Sequence, residues 1–133
     1  MRTGSKNRSN HRFPEDILAA IRQDKILGIR AGRDPKHRII GIWAVVVEER
    51  VFVRSWSLKP RSWWRTFLED SHGIIVVGKK EIPIRAVHTR SEKLKDLVSA
   101  AYREKYNSRG DIQYVEDMSR KTSRDTTTEL VPI

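Results

Sequence analysis

The chain has 133 residues, of which 38% are hydrophobic, a length that suits one domain whose core needs neither metal nor disulfide support. It contains no cysteine, which excludes disulfides and thiolate–metal sites and favours a reducing, cytoplasmic location. No apolar run reaches the length of a membrane helix. The net charge of +10 is compatible with nucleic-acid binding, but basic and acidic residues are mixed and no recognition-helix, zinc-finger or RNP pattern occurs. Nucleic-acid binding is therefore the less favoured hypothesis.

The first elements are predicted from helix-start and turn signals. Residues 1–12 are basic and lack an apolar face, which predicts a disordered leader ahead of one domain over residues 13–133. Pro14, followed by two acidic residues, predicts a helix over residues 14–25. The apolar stripe of this helix is Ile17, Leu18 and Ile21. A strand over residues 26–32 follows and ends in turn residues.

A hairpin is predicted next. Residues 38–47 form a nearly continuous apolar run, which indicates one strand covered on both faces. A short polar connector, residues 48–50, leads to a second strand from Val51. Alternation along that strand gives two faces, one with Phe52, Arg54 and Trp56 and the other with Val51, Val53 and Ser55.

The rest of the chain alternates between helices and strands. A helix is predicted from near Pro60 to Asp70–Gly73, with Trp64, Phe67 and Leu68 as its buried stripe. Strands are predicted from Gly73 and over residues 81–89, and Pro83 in the second lacks a ladder donor, which suits an edge or a bulge. A capping box at residues 89–92 starts a helix that ends by residues 107–110, and a polar segment precedes a last strand over residues 126–132. The fold class is thus mainly β with covering helices, a small antiparallel barrel of about six strands.

The segment over residues 51–68 points to a binding site. It contains three of the four tryptophans and four basic residues, with no acidic residue among them. Aromatic faces suit a flat ring, and guanidinium and hydroxyl groups suit a phosphate. The four histidines have no metal-ligand spacing, and neither a nucleophile elbow nor a phosphate-binding glycine loop is present. The pattern therefore favours a pocket for a phosphate-bearing aromatic ligand over a metal or hydrolase site.

Several motifs together resemble the flavin-binding split-barrel superfamily, which includes pyridoxamine phosphate oxidase and the deazaflavin-dependent nitroreductases. They are F-V-R-S at 52–55, W-W-R-T-F-L-E-D at 63–70, G-I-I-V-V-G at 73–78, A-A-Y-R-E-K-Y at 100–106 and T-T-T-E-L-V-P at 126–132. Within that superfamily the chain looks most like a small group of uncharacterised bacterial proteins. The resemblance spans residues 14–132 and implies a split β-barrel. The longer basic R-x-V-L-L-K motif of the oxidases is missing.

The resemblance also implies a homodimer with FMN or a deazaflavin at the subunit interface, and an oxidoreductase if the protein is an enzyme. The cofactor-binding residues it implies are Arg54, Ser55, Trp56, Lys59, Trp63 and, less directly, Trp43. Arg54 and Ser55 would contact the phosphate and Lys59 would add charge. On the residues alone, two alternatives stay open: Arg54 as an exposed strand-end arginine paired with Glu48 or Glu69, and Trp43 and Trp64 as core residues. A non-enzymatic module for another anionic ligand is the alternative function.

Overall fold

The computed structural model describes residues 12–56 and 62–133. Its strands are β1 (Leu27–Ala31), β2 (Ile40–Ile42), β3 (Ala44–Val47), β4 (Arg50–Val53), β5 (His72–Val77), β6 (Lys80–His88) and β7 (Thr128–Pro132). Its helices are α1 (Glu15–Gln23), α2 (Trp63–Glu69), α3 (Glu92–Lys105), α4 (Ile112–Met118) and α5 (Lys121–Arg124). The strands form one antiparallel sheet in the order β2-β1-β5-β6-β7-β4-β3. This nearly closed barrel with helices confirms the predicted fold class, with seven strands in the described ranges instead of about six.

The extra strand comes from the apolar run at residues 38–47. This run was predicted to be one strand, but it breaks at Trp43 into β2, which pairs with β1, and β3, which pairs with β4. The two ends of the sheet are therefore consecutive parts of the chain, and the bend at Trp43 brings them together. Ala44 and Val45 are buried as predicted, whereas the prediction of burial on both faces is wrong for β2, where Ile40 is exposed.

The barrel interior is an aliphatic core. Ile29, Ile75 and Ile84 come from three neighbouring strands and are completely buried. Helix α1 contributes its predicted stripe to the same cluster, namely Ile17, Leu18 and Ile21. Since α1 and the strands share one apolar cluster, its burial stabilises both the barrel and the packing of α1 on it.

A second core lies on the other face of β3 and β4. Val45 and Phe52 pack there against α3, mainly against Val98, Tyr102 and Tyr106. Val51 and Val53 face the barrel interior instead. The predicted alternation along β4 is thus confirmed, and it is α3 that covers the outer face.

Two local predictions are wrong. In α2, Trp63 and Phe67 pack on the core, whereas Leu68 is 55% exposed. The ring centroid of Trp64 lies 5.5 Å from the guanidinium carbon of Arg65. The sequence offers two overlapping helical stripes, and packing of Phe67 beside Gly73 on β5 selects the other one. The second wrong prediction concerns the polar segment before β7, which contains helices α4 and α5. These helices were not predicted because the segment has too few apolar residues.

Lys105 at the end of α3 joins three elements. Its Nζ donates hydrogen bonds to the carbonyl oxygens of Ile21 and Ala44, both at 2.7 Å. Burial lowers the pKa of Lys105 to about 8. Burial also raises the pKa of the nearby phenols of Tyr102 and Tyr106.

These shifts predict a pH optimum of stability. A lysine in the unfolded chain titrates at about 10.4, so between about pH 8 and about pH 10 the unfolded chain binds more protons and the free energy of unfolding rises with pH. Above about pH 10 the unfolded tyrosines ionise first, and the free energy of unfolding falls again. Urea unfolding across this range measures the slope. Lys105→Met should remove the rise, and an unchanged slope in that variant would contradict the assignment.

Candidate functional site

A cavity of about 660 Å³ lies where β2, the end of β4, α2 and α4 meet. Of the six residues predicted for the cofactor site, five line this cavity: Trp43, Arg54, Ser55, Trp56 and Trp63. The sixth, Lys59, lies outside the described residues. The remaining walls are largely apolar, with Ile40 and Ile42 from β2 and Met118 from α4. The fold therefore brings together residues from distant parts of the sequence into one space.

The aromatic side chains of the cavity are held by ring contacts. Trp43 stacks on Tyr106 with ring centroids 4.1 Å apart and planes 4° from parallel. Trp56 makes an edge contact with Tyr114 at 5.5 Å, and is 63% exposed. Trp63 makes an edge contact with Phe67 at 5.9 Å. Three indole rings from separate segments thus border the cavity, a lining suited to an aromatic ligand.

Arg54 is buried, with 2% of its surface exposed. Its Nε donates to the Thr127 hydroxyl at 2.8 Å and its Nη1 to the Ser99 hydroxyl at 2.8 Å. Two carbonyl oxygens accept the other bonds, that of Met118 from Nη1 at 3.0 Å and that of Lys95 from Nη2 at 2.7 Å. Burial lowers the pKa of Arg54 to about 10, so the guanidinium remains charged at neutral pH.

These contacts differ from the strand-end ion pair that the residues alone left open. No described carboxylate forms an ion pair with it, and Glu48 lies near Arg50 instead. Four of its hydrogen bonds go to protein oxygens, so most of its five N–H groups are used within the fold. A direct phosphate contact by Arg54 stays a prediction, and the observed role is to tie β4 to α3 and α4.

Ser55 lies beside Arg54 in a buried polar segment. Its N–H donates to the Thr126 hydroxyl at 2.8 Å, and its carbonyl oxygen accepts from the Ser123 hydroxyl at 2.8 Å. The C-terminal segment therefore fixes the strand end that carries Arg54 and Ser55. Sequence reasoning missed this support and the wall residues Tyr114 and Met118, although the three consecutive threonines that lead into β7 are a signal for side-chain hydrogen bonding.

A second cavity of about 540 Å³ adjoins the first, and both are lined by Ile40 and Trp63. Its charged lining residues, Lys36 and Arg38, are both basic, and His37 and Thr66 are its other polar residues. The His37 Nδ1 lies 2.8 Å from the Ala31 carbonyl oxygen, to which it donates. No acidic residue of the described chain lines this cavity. The K-H-R run after the turn at residues 32–35 is the feature of the sequence from which this cavity could have been predicted.

The described residues contain no group of three His, Asp or Glu side chains placed to hold a metal ion. In the described ranges, no helix has both the length and the apolar character that crossing a membrane requires.

Comparison with known proteins gives a family and a fold. A bacterial family described as "Uncharacterized protein conserved in bacteria (DUF2255)" matches residues 17–130. A comparison with curated proteins finds no significant match.

Solved structures show the fold more widely. The heme storage protein HutZ from Vibrio cholerae has a TM-score of 0.61 at 13% identity, covering 91% of this chain and 88% of its own. A putative pyridoxamine 5′-phosphate oxidase from Listeria innocua has a TM-score of 0.59 at 12% identity, covering 90% of both chains. An FAD-binding protein from Mesorhizobium loti has a TM-score of 0.53 at 7% identity, covering 88% and 86%. These likenesses confirm the predicted split-barrel fold.

Proposed function

We propose that this chain, which belongs to the DUF2255 family of bacterial proteins, binds a flat aromatic cofactor of the flavin class, FMN or a deazaflavin. The observation that carries the proposal is the cavity of about 660 Å³ bordered by Trp43, Trp56 and Trp63. Its volume falls in the range of small-molecule sites, about 300–1,000 Å³. Similar structures titled as a putative pyridoxamine 5′-phosphate oxidase and as an FAD-binding protein support the same class of ligand.

In this proposal the ring system of the cofactor lies among the tryptophans. The bound cofactor would supply redox chemistry, which makes an oxidoreductase the proposed activity, while the protein holds and orients the ring. Trp43 is well suited to this because its stacking on Tyr106 fixes its plane before a ligand arrives. A prepared wall reduces the ordering cost of binding.

The phosphate-bearing tail is proposed to extend into the basic cavity. The two cavities share Ile40 and Trp63 as lining residues, which places the basic cavity beside the aromatic one. Lys36 and Arg38 are exposed there, and neither side chain forms an ion pair with a described residue. Since Arg54 uses most of its donors within the protein, Lys36 and Arg38 are the better proposed phosphate contacts.

A homodimer is also proposed, with the site at its interface. Large apolar side chains remain exposed around the aromatic cavity, namely Ile26, Ile40, Trp56 and Tyr114. Exposed apolar groups that are contiguous with a pocket are typical of protein interfaces. Light scattering after size exclusion measures the molar mass, and a monomer at all concentrations would exclude the dimer.

Absorption and fluorescence test the cofactor proposal. Freshly purified protein should absorb between about 300 and 500 nm if a flavin-class ligand is retained, and added FMN or deazaflavin should quench its tryptophan fluorescence saturably. Trp56→Phe should raise the dissociation constant obtained from this titration, whereas Trp64→Phe should leave that constant unchanged, because Trp64 does not line the cavity. Colourless protein that no flavin or deazaflavin quenches would overturn the proposal. Binding of haem alone would assign the cavity to a different ring system.

The proposed phosphate contacts in the basic cavity can be tested separately. Lys36→Gln with Arg38→Gln should weaken FMN binding about tenfold, the effect of roughly one charged hydrogen bond, and leave riboflavin binding unchanged. The matched control is Lys79→Gln with Lys80→Gln at the β5–β6 turn, which lines neither cavity. Fluorescence titration of the wild type and the two double variants with each ligand gives the dissociation constants. Equal losses for FMN and riboflavin would place the phosphate elsewhere.

A further inference from the structure

The guanidinium of Arg54 is a buried cation that lacks a counter-ion among the described residues. Its hydrogen-bond acceptors are two hydroxyls and two carbonyl oxygens, all of them neutral. The groups that act on it from further away are mixed, because Tyr102, whose ring centroid lies 5.9 Å from the guanidinium carbon, and Asp96 favour its charge while Arg124 and Arg103 oppose it. Hydrogen bonds to neutral oxygens satisfy donors but leave the positive charge in place.

Burial of this charge carries a desolvation cost, which lowers the pKa of Arg54. Charges that are taken out of water are normally paired, because the remaining dipoles replace only part of the lost hydration. Arg54 also retains one Nη2 N–H without a described protein acceptor. A buried charge maintained against this cost is a feature of functional sites.

The position of Arg54 shows where the missing charge belongs. It lines the aromatic cavity together with Ser55 and Met118. Among the described residues that line this cavity, Arg54 is the one that is charged, and none is an aspartate or glutamate. In a largely apolar space the attraction between a cation and an anion is much stronger than in water. An anionic group on the ligand would therefore be the counter-ion that the protein lacks.

We infer that the aromatic cavity selects ligands whose ring system itself carries a negative charge, with Arg54 as the residue that determines this preference. This extends the proposed function, on which the identity of the ring rests. Within the flavin class it favours the anionic reduced form of FMN, or a deazaflavin with an ionised ring hydroxyl, over a neutral ring. The ring charge is separate from the phosphate, for which Lys36 and Arg38 are proposed.

Two fluorescent probes test the preference without any flavin. Anilinonaphthalene sulfonate is an anionic aromatic compound, and N-phenylnaphthylamine is its uncharged analogue of nearly the same shape. The full chain should bind the anionic probe at least about tenfold more tightly, as one charged hydrogen bond supports. The preference should largely persist in about 0.5 M salt, because a buried charge is screened less than surface lysines.

Variants locate the preference. Arg54→Met should reduce it about tenfold or more by weakening the anionic probe, while Lys79→Met on the remote hairpin should leave it unchanged. Ser99→Ala keeps the charge and should keep the preference. If Arg54→Met does not fold, the affinities of the wild-type protein for the two probes at increasing salt decide whether a buried charge causes the preference. Equal affinities for the two probes, or a preference that disappears with salt, would overturn the inference.

The outcome is independent of the cofactor test. An anionic preference without any flavin binding would retain Arg54 as the selecting residue and overturn the flavin proposal. Flavin binding with equal probe affinities would support the flavin proposal and overturn Arg54 as the selecting residue.

Discussion

Replacing Tyr106 with alanine is expected to lower the free energy of unfolding by about 3–5 kcal/mol, the range for removing a large buried aromatic side chain. Tyr106 is only 2% exposed, and its ring lies between Trp43, at 4.1 Å, and Tyr102, at 5.8 Å. Its hydroxyl donates to the Lys25 carbonyl oxygen at 2.6 Å and accepts from the Ala44 N–H at 3.2 Å. The alanine variant therefore loses both ring packing and a polar link between α3 and the barrel.

Tyr106→Phe separates these two contributions. It keeps the ring and removes the hydroxyl, which leaves the buried Ala44 N–H without that acceptor, so we expect a loss of about 1–3 kcal/mol. Urea unfolding monitored by circular dichroism measures both variants. The alanine variant should also weaken ligand binding, since Trp43 would lose the ring that holds it. Equal losses of stability in the two variants would show that ring packing contributes little.

Much of the fold could be predicted from local patterns. Helix α1 has an apolar stripe at helical spacing, and β4 alternates cleanly between its two faces, so both were predicted correctly. The break at Trp43 could not be predicted, because the apolar run continues through it without a proline or glycine at the bend. It arises from closure of the barrel, which requires the run to pair with β1 at one end and β4 at the other. Closure is a property of the whole sheet.

The site was predicted in part for a similar reason. Trp56 and Trp63 stand out because amphipathic aromatic residues near basic ones are uncommon in a small core. The partners of Arg54 could not be found, because its face of β4 is covered by α3 and by a polar segment that precedes β7. Sequence reasoning searched for nearby acids, whereas the fold supplies hydroxyls and carbonyl oxygens. The resulting unneutralised charge is visible only when all of its partners are known.

Gly73→Ala is the second change with a large expected effect. A Cβ atom at this position would lie 2.5 Å from the Arg30 carbonyl oxygen on β1 and 3.0 Å from the Phe67 ring on α2. A carbonyl within a strand ladder cannot move aside without disturbing its pairing, so we expect a loss of about 1–3 kcal/mol, the range for overpacking. Because Phe67 contacts Trp63, the added methyl group should also displace the cavity wall and weaken ligand binding.

Gly41→Ala is the matched control, since it adds the same methyl group to another strand of the barrel. Its Cβ would meet Ile26 Cγ2 at 2.6 Å, which is the branch methyl of a side chain that is 52% exposed. That side chain can rotate away, and replacing glycine with alanine in a compatible conformation can itself stabilise by about 0.4–1 kcal/mol. The two variants should therefore differ clearly in urea unfolding. Similar losses would mean that β-strand glycines are required for their backbone freedom, and that close packing of α2 against β1 and β5 does not set the position of Trp63.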